Sequence, residues 1–437
     1  MQIKPREREA IIQSLKSGVV PAIGLQHIQV GRKDEVQAII ADLERIAQGG
    51  AAIRFVIGRF GSGKSFFLTL SKLLALEKKL VVAQADITPD HRLHATGGQA
   101  RALYASLMNN LSTKAKPNGG ALSSIIERWI ADLDQKTRSQ QGEGADLSQA
   151  ILEALRPLQD LVSGFDFAQV LSKYYEAYET QNEQLKNCAL KWLRAEYRLK
   201  SEAKADLGVR EIIEDSKIYD YLKLFAKFVS LAGFNGLLVN FDEMVVLSHR
   251  LNHAPARNNN YEMVLRILND CLQGHVENVG FLFGGTDEFL KDPRRGLYSY
   301  EALATRLAEN KFAIDGLKDF SGPVIHLASL THEDLYVLLH NIRNVFALAD
   351  TSKYLVPDEA FESFMSYCAS TLGAEFYMTP RDTIKGFVGL MSILEQNPQA
   401  DWKNLLGQTT LEVTQEPEYL PIDDNETDGD PLTRFTL

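Results

Sequence analysis

Cysteine is scarce: Cys188, Cys271 and Cys368 are the only three in 437 residues, they stand far apart, and none belongs to a C-x-x-C pair. That disfavours a disulfide framework or a cysteine-rich zinc site and makes a reducing, cytoplasmic setting the expectation. No apolar run reaches the roughly 18 residues of a membrane span, and the opening MQIKPREREA is charged, so neither a bilayer segment nor a secretory leader is expected. An excess of positive charge is also missing. The formal net charge of −10 argues against a generally basic, nucleic-acid-coating surface and leaves only a local basic channel open. No Ser-His-Asp or Cys-His pattern with a recognisable elbow occurs. His91 and His94, at i and i+3 without a third nearby ligand, read as loop histidines. What is present is ordinary globular composition, 45% hydrophobic and 24% charged, in a chain long enough for two or three domains.

Apolar residues recur at helical spacing over 5–15 and 32–46, with GLQHIQVGR (24–32) as an extended link. A strand is predicted at 52–57, then a glycine-rich bend, then a helix to residue 76. KKLVVAQADIT (78–88) reads as a second buried strand, being short, rich in valine and bounded by charge and a Thr-Pro break. From 99 to 231 the pattern is helical, broken by the polar loops STKAKPNGG and SQQGEGADLS. FNGLLVNFDE (234–243), NVGFLFGGTDEF (278–289) and GPVIHLASL (322–330) supply three further strands. Strands alternating with helices imply a parallel α/β sheet. Three helical stretches follow: 331–347, opening on the capping-box-like THED, then 357–372 and 379–395. The ending EPEYLPIDDNETDGDPLTRFTL is acidic and apolar-poor, so a poorly ordered tail is expected.

Residues Gly58, Arg59, Phe60, Gly61, Ser62, Gly63, Lys64 and Ser65 fit G-x-x-x-x-G-K-[ST] at every position, between an apolar strand and a helix that continues with Phe66. The glycines let backbone N–H groups wrap phosphates, and the helix N-terminus adds a favourable dipole. Lys64 is expected to reach the β and γ phosphates and Ser65 to ligate Mg2+, which makes ATP and Mg2+ the expected cofactors. The competing reading is a plain glycine-rich strand–helix turn. A phosphate loop needs a second acidic group to hold Mg2+ through water at the end of a neighbouring buried strand. GLLVNFDE offers Asp242 for that role and Glu243 as the base that polarises the attacking water. After the next strand, Thr286 or Asp287 stands where a water-orienting residue belongs, and Thr286 is favoured; a helix N-cap is the equal alternative.

These strands in this order resemble the AAA+ ATPase superfamily, in the branch of origin-recognition and signalling ATPases. The resemblance covers 24–98 and 233–390. It implies a P-loop α/β sandwich with a large helical insertion and a helical C-terminal lid. IQVGR resembles the segment that frames adenine there, which assigns Val30 and Gly31, and TPRDTIKGF resembles the lid helix carrying the sensor 2 arginine, here Arg381. More narrowly, GSGKSFFL, LGVREII, GLLVNFDE and RRGLYSYEALATRL resemble the ATP-binding proteins of BREX-type phage-defence loci. That resemblance implies service in a multi-protein defence system acting on DNA, with a helicase or methylation partner. Two other classes stay open: a DNA-loading or remodelling motor, and a slow-hydrolysing switch in which ATP stabilises one assembly.

AAA+ rings often complete one subunit's site with a neighbour's arginine, which implies a homo-oligomer. The resemblance places that arginine among Arg294, Arg295 and Arg306, with Arg306 first; the alternative is a surface arginine paired with Glu301 or Glu309. The expected organisation is 1–98 for the N-terminal helices and the first part of the core, 99–231 for the insertion, 232–330 for the remaining core, 331–400 for the lid and 401–437 for the tail. The stretch 110–217 exceeds what one or two strand–helix units need. It carries Trp129, Tyr174, Tyr175, Tyr178, Trp192 and Tyr197 near Lys186, Lys191, Arg194, Arg198 and Lys200, interleaved with Glu176, Glu179, Glu183 and Glu196. Aromatics among bases can stack on nucleic acid, whereas aromatics at helical spacing also build cores, and a partner-docking surface is the favoured reading.

Overall fold

A computed structural model describes residues 2–141, 147–159, 161–312, 318–372 and 380–408. The chain opens with α1 (Pro5–Lys16) and α2 (Lys33–Ala47), then β1 (Ala51–Ile57), α3 (Lys64–Glu77) and β2 (Val81–Asp86). Eight helices follow: α4 (Gln99–Asn109), α5 (Leu122–Gln141), α6 (Leu147–Ala154), α7 (Arg156–Gln159), α8 (Gly164–Glu179), α9 (Glu183–Leu193), α10 (Lys200–Leu207) and α11 (Ile218–Leu231). Next come β3 (Leu237–Asp242), α12 (Val245–His249), α13 (Ala254–Gln273), β4 (Val279–Gly285), α14 (Asp287–Lys291), α15 (Glu301–Arg306) and β5 (Val324–His326). Four helices complete the described chain: α16 (His332–Phe346), α17 (Glu359–Leu372), α18 (Pro380–Gln396) and α19 (Trp402–Gln408).

The five strands form one parallel sheet in the order β2-β3-β4-β1-β5. Val81 faces Leu237 and Asp86 faces Asp242 across β2 and β3, and residues Leu237 to Phe241 of β3 run beside Val279 to Phe283 of β4. Phe55 N–H donates to Pro323 O (2.8 Å) and Leu327 N–H to Ile57 O (2.7 Å), both chains advancing together as a parallel pair requires. Apart from the exposed Gln84 and Asp86, the strand side chains are mostly buried, which is why these segments read as apolar runs rather than as alternation. Phe241, Phe283 and Phe55 stack in sequence across the sheet, with ring centroids 5.4 and 5.0 Å apart. The segment expected to be an extended link contains a single 3-10 turn, Leu25–His27.

The chain separates into two compact units. The first takes the described residues of Met1–Gln37, Val56–Ser71 and Ile325–Glu418. Its core joins Ile3, Ile11 and Leu15 at the start of the chain to Leu335, Leu339, Phe361 and Met391. Arg8 bonds Phe346 O at 2.9 Å and pairs with Glu395, so α1 is held against the C-terminal helices by apolar burial and by charge. The expected capping box is present on α16: Thr331 accepts from Asp334 N–H, and Asp334 accepts from Thr331 N–H. Within the stretch read as tail, Trp402–Gln408 forms α19, with Trp402, Leu405 and Leu406 packed on the same core; residues 409–437 lie outside the described ones.

The second unit takes Ala38–Phe55 and Lys72–Val324. A buried ion pair there joins Asp42 of α2 to Arg54 of β1, with Nε–Oδ2 2.5 Å and Nη2–Oδ1 3.1 Å. Arg54 also donates to Phe320 O (2.8 Å) and to Gly322 O, so one guanidinium ties α2, β1 and the approach to β5 together. Replacing Asp42 by asparagine keeps the shape but removes the charge from a charged hydrogen-bonded pair. A loss of about 2–3 kcal/mol is expected, read as a lower midpoint in urea unfolding with unchanged slope.

In the helical stretch between β2 and β3, the aromatics are core. Trp129, Tyr174, Tyr175, Trp192 and Tyr197 are all buried, and of the six only Tyr178 is exposed. Trp129 packs edge-on against Phe228, and Trp192 against Phe167 and Tyr221. Three of the basic residues between them have internal partners: Lys186 pairs with Glu127 at 2.9 Å, Lys191 lies 4.2 Å from the Tyr197 ring centroid, and Lys200 pairs with Glu214 at 2.9 Å. LGVREII is a packing strap: Val209, Ile212 and Ile213 are buried, while Arg210 and Glu211 donate their backbone N–H groups to the buried carboxylate of Asp166.

Candidate functional site

In the first unit, β1 ends at Ile57 and α3 begins at Lys64, leaving Gly58–Gly63 as the connecting loop. Gly61 (φ 74°) and Gly63 (φ 92°) adopt left-handed conformations that side chains disfavour. At Gly58 close approach makes the demand, since a Cβ there would lie 2.5 Å from Ser62 Oγ and 3.2 Å from Leu327 O. Lys64 folds back over the loop, donating to Gly58 O at 2.8 Å and Arg59 O at 3.0 Å. Ser62 is buried, and its hydroxyl finds no hydrogen-bond partner among the described residues. A loop of this kind at the start of a 14-residue helix, with an ammonium turned into it and an unsatisfied hydroxyl beside it, suits an anion's oxygens.

Arg32 clamps this loop, donating through Nη2 to Ser62 O (2.7 Å) and to Ala328 O beyond β5 (3.0 Å). Burial holds its guanidinium below its usual basicity, and Glu35 and Asp334 pull the other way. Gly31 (φ 59°) lies against Asp334, whose carboxylate oxygen would be 2.9 Å from a Cβ at residue 31. Val30 and Phe66 are half-buried against the unit's apolar core. Arg381, in the first turn of α18, lies over Phe60 of the loop. The structure thus gathers Val30, Gly31, the glycine loop, Lys64, Phe66 and Arg381 within one unit. Thr379, quoted with that helix, lies outside the described residues.

In the second unit, β3 ends in Asp242. Glu243 takes φ 57°, a left-handed backbone in a residue with a side chain, and donates its N–H to Asp242 Oδ1 at 2.9 Å. Such strain concentrates where geometry is imposed for function. On one side Ile87 N–H bonds Asp242 O; on the other Met244 N–H bonds Gly284 O, so the turn is fixed by both neighbouring strands. Thr286, expected as a water-orienting residue with capping as its alternative, does cap: its hydroxyl accepts from Phe289 N–H at 3.4 Å at the start of α14. Arg306 is exposed, and neither expected carboxylate holds it. It donates to Asn269 Oδ1 (2.7 Å) and Ala302 O (2.8 Å), while Glu309 pairs with Lys291.

Two residues of these surroundings were not singled out from sequence. Arg32 had appeared only as the end of IQVGR, and its loop clamp depends on contacts remote in the chain. Asp86 closes a buried strand as Asp242 does, which is the signal that could have found it, and the two are register partners. Although the Asp86 side chain reaches solvent, the surrounding protein displaces part of its hydration, and this desolvation together with the Asp242 carboxylate raises its carboxyl above the ordinary value, with His91 opposing. A raised folded-state value means that the native state binds this proton more tightly than the unfolded chain. Stability from Asp86 is therefore present at low pH and lost as pH rises through the raised value. In the nucleotide-free protein with chelator, Asp86→Asn is expected to raise the melting temperature at pH 7.5, with the gain shrinking toward pH 4.

Among the described residues no helix is long and apolar enough to cross a membrane. No curated protein matches the sequence. A family model described as BREX system ATP-binding protein BrxC/D matches residues 3–410. With nearly the whole chain covered, this protein belongs to the BREX system ATP-binding protein BrxC/D family.

Proposed function

We propose that the protein is a Mg2+-dependent ATPase of the AAA+ class whose turnover drives a step of the BREX phage-defence system. The observation that carries the reading is the glycine loop with Lys64 turned onto its carbonyls and the buried Ser62 hydroxyl unsatisfied. Triphosphate oxygens would take over those donors, together with the loop N–H groups of Gly58 to Ser65. Ser65 and Asp242 would hold Mg2+, which when bound neutralises charge on the phosphate oxygens. Val30 and Gly31 would frame the adenine. Glu243 accepts a proton from the water that attacks the γ-phosphorus, the bond to the bridging oxygen breaks, and ADP and phosphate result. Thr286 uses its oxygen as a cap acceptor and keeps its hydroxyl proton for orienting that water. Arg381 would meet the γ-phosphate from the lid helix α18.

Arg306 is proposed to act on a neighbouring copy in a homo-oligomer. Its support is that both hydrogen-bond partners of its guanidinium among the described residues, Asn269 and Ala302 O, are neutral. Sedimentation with ATP that finds only monomer at every concentration would end that part of the reading.

The partners proposed are other proteins of the defence system, a helicase or methylation enzyme among them, in the cytoplasm, with DNA as their common target. The burial of the insertion's aromatics favours a second reading in which turnover is gated by a protein docked on that insertion rather than by DNA stacked there. Phosphate release by the purified chain, with and without double- and single-stranded DNA, decides between them. DNA-dependent turnover supports a DNA-coupled motor, including the loading or remodelling variant. Turnover indifferent to DNA supports the protein-gated, slow-hydrolysing switch. No phosphate release under any of these conditions counts against the ATPase reading.

A further inference from the structure

Within the glycine loop, backbone groups account for most of the expected phosphate contacts and leave the side chain of Phe60 without a role. Phe60 is half-buried, and the Arg381 guanidinium lies over it with Cζ 4.9 Å from the ring centroid. Arg381 Nε is buried and has no hydrogen-bond partner among the described residues. The backbone of Gly18 closes on the same guanidinium, so that a Cβ there would come 3.1 Å from Nε and 3.4 Å from Nη2. A cation has therefore lost water along one edge, gained an aromatic face, and kept an N–H unspent.

That arrangement is costly for a resting side chain and useful for one awaiting an anion. The ring offsets part of the lost hydration through its quadrupole, and it fixes the plane of the guanidinium. A long, flexible arginine would otherwise have to surrender its rotamers and water when the ligand arrives.

We propose that Phe60 is a positioning residue: its ring holds Arg381 desolvated and oriented at the glycine loop, so that the arginine favours a nucleoside triphosphate over the diphosphate. The inference rests on the reading of this loop as a triphosphate seat and adds a specificity device to it. The γ-phosphate collects the benefit, because the ordering of Arg381 has already been met before binding.

The test uses the full chain and its Phe60→Leu, Phe60→Tyr, Arg381→Met and doubly substituted forms, with dissociation constants for fluorescent ATP and ADP analogues measured in Mg2+. Phe60→Leu is expected to lower the preference for ATP over ADP about tenfold, and Phe60→Tyr, which keeps the aromatic face, to retain it. On an Arg381→Met background Phe60→Leu is expected to add nothing, since the two residues act as one unit. Equal behaviour of the leucine and tyrosine forms, equal loss for both nucleotides, or effects that multiply in the double form would overturn the proposal. Phe60→Met, apolar and bulky but without a π face, carries the same comparison should the leucine form not fold. Lys64→Ala separates the two levels of failure. If wild type binds no ATP, or binds it no better than Lys64→Ala, the triphosphate seat itself falls; a normal Lys64 dependence beside a failed Phe60 test removes this inference alone.

Discussion

Replacing Lys64 by alanine should lower ATP turnover about a thousandfold, the scale on which a preorganised charge aimed at the reacting phosphate acts. The lysine stands at the first position of α3 and already reaches back to Gly58 O and Arg59 O, so its ammonium lies within the loop before any ligand enters. Exchange of two neutral carbonyls for anionic phosphate oxygens turns hydrogen bonds charged on the donor side alone into ones charged on both sides, which adds ion-pair attraction to each. Alanine is the best helix former, so α3 keeps its first turn and the fold should survive. Phosphate release should fall while the melting temperature of the nucleotide-free protein stays near that of wild type. A variant that hydrolyses ATP at the wild-type rate would remove the phosphate-binding assignment altogether.

Glu243→Gln should lower turnover by about 10²–10⁴-fold, the range in which a positioned general base contributes, while leaving ATP affinity nearly unchanged. The amide matches the carboxylate in shape and can still orient water, but it cannot take the proton. The backbone adds a second readout. Glu243 sits at φ 57°, a conformation costing about 1–2 kcal/mol for a residue with a side chain, so Glu243→Gly should stabilise the protein while abolishing turnover. A variant gaining stability and losing activity together is the signature of strain kept for function. Single-turnover phosphate release and thermal melting on the same samples check both halves. Turnover retained in Glu243→Gln would move the base elsewhere.

Much of the fold is legible because buried parallel strands are short apolar runs with sharp ends. The strand expected at 52–57 is β1 (Ala51–Ile57), and the stretch 234–243 contains β3 (Leu237–Asp242). The glycine loop was equally readable, since its spacing is dictated by backbone geometry over eight residues. What stayed hidden is non-local. Strand order rests on pairings remote in the chain, such as β2 beside β3, and the first turn of α4 is capped from far away, Asp215 accepting from Gly98 N–H and Arg101 N–H at 2.7 Å each. Arg32 on Ser62 O is likewise a contact that no local pattern encodes. The insertion's aromatics were ambiguous for a physical reason: helical periodicity places side chains on one face but does not say whether that face meets protein or a base. Burial of Trp192 and Tyr174 gives the answer, and their hydroxyl and indole groups show how, Tyr174 bonding Glu127 and Trp192 bonding Glu211 O.

The first helix packs among the last ones, with Ile11 and Leu15 in the same apolar core as Leu335, Leu339, Val388 and Met391. During synthesis α1 emerges well before the partners that bury it, which follow more than three hundred residues later. Its apolar face must stay exposed on the growing chain until α16 and α18 leave the ribosome, while the sheet and insertion can already collapse. Contacts of such long sequence separation slow folding and lengthen exposure to aggregation. The nascent chain is thus a natural client for a chaperone that shields α1, and a nonsense mutation anywhere before α18 leaves that helix without part of its core.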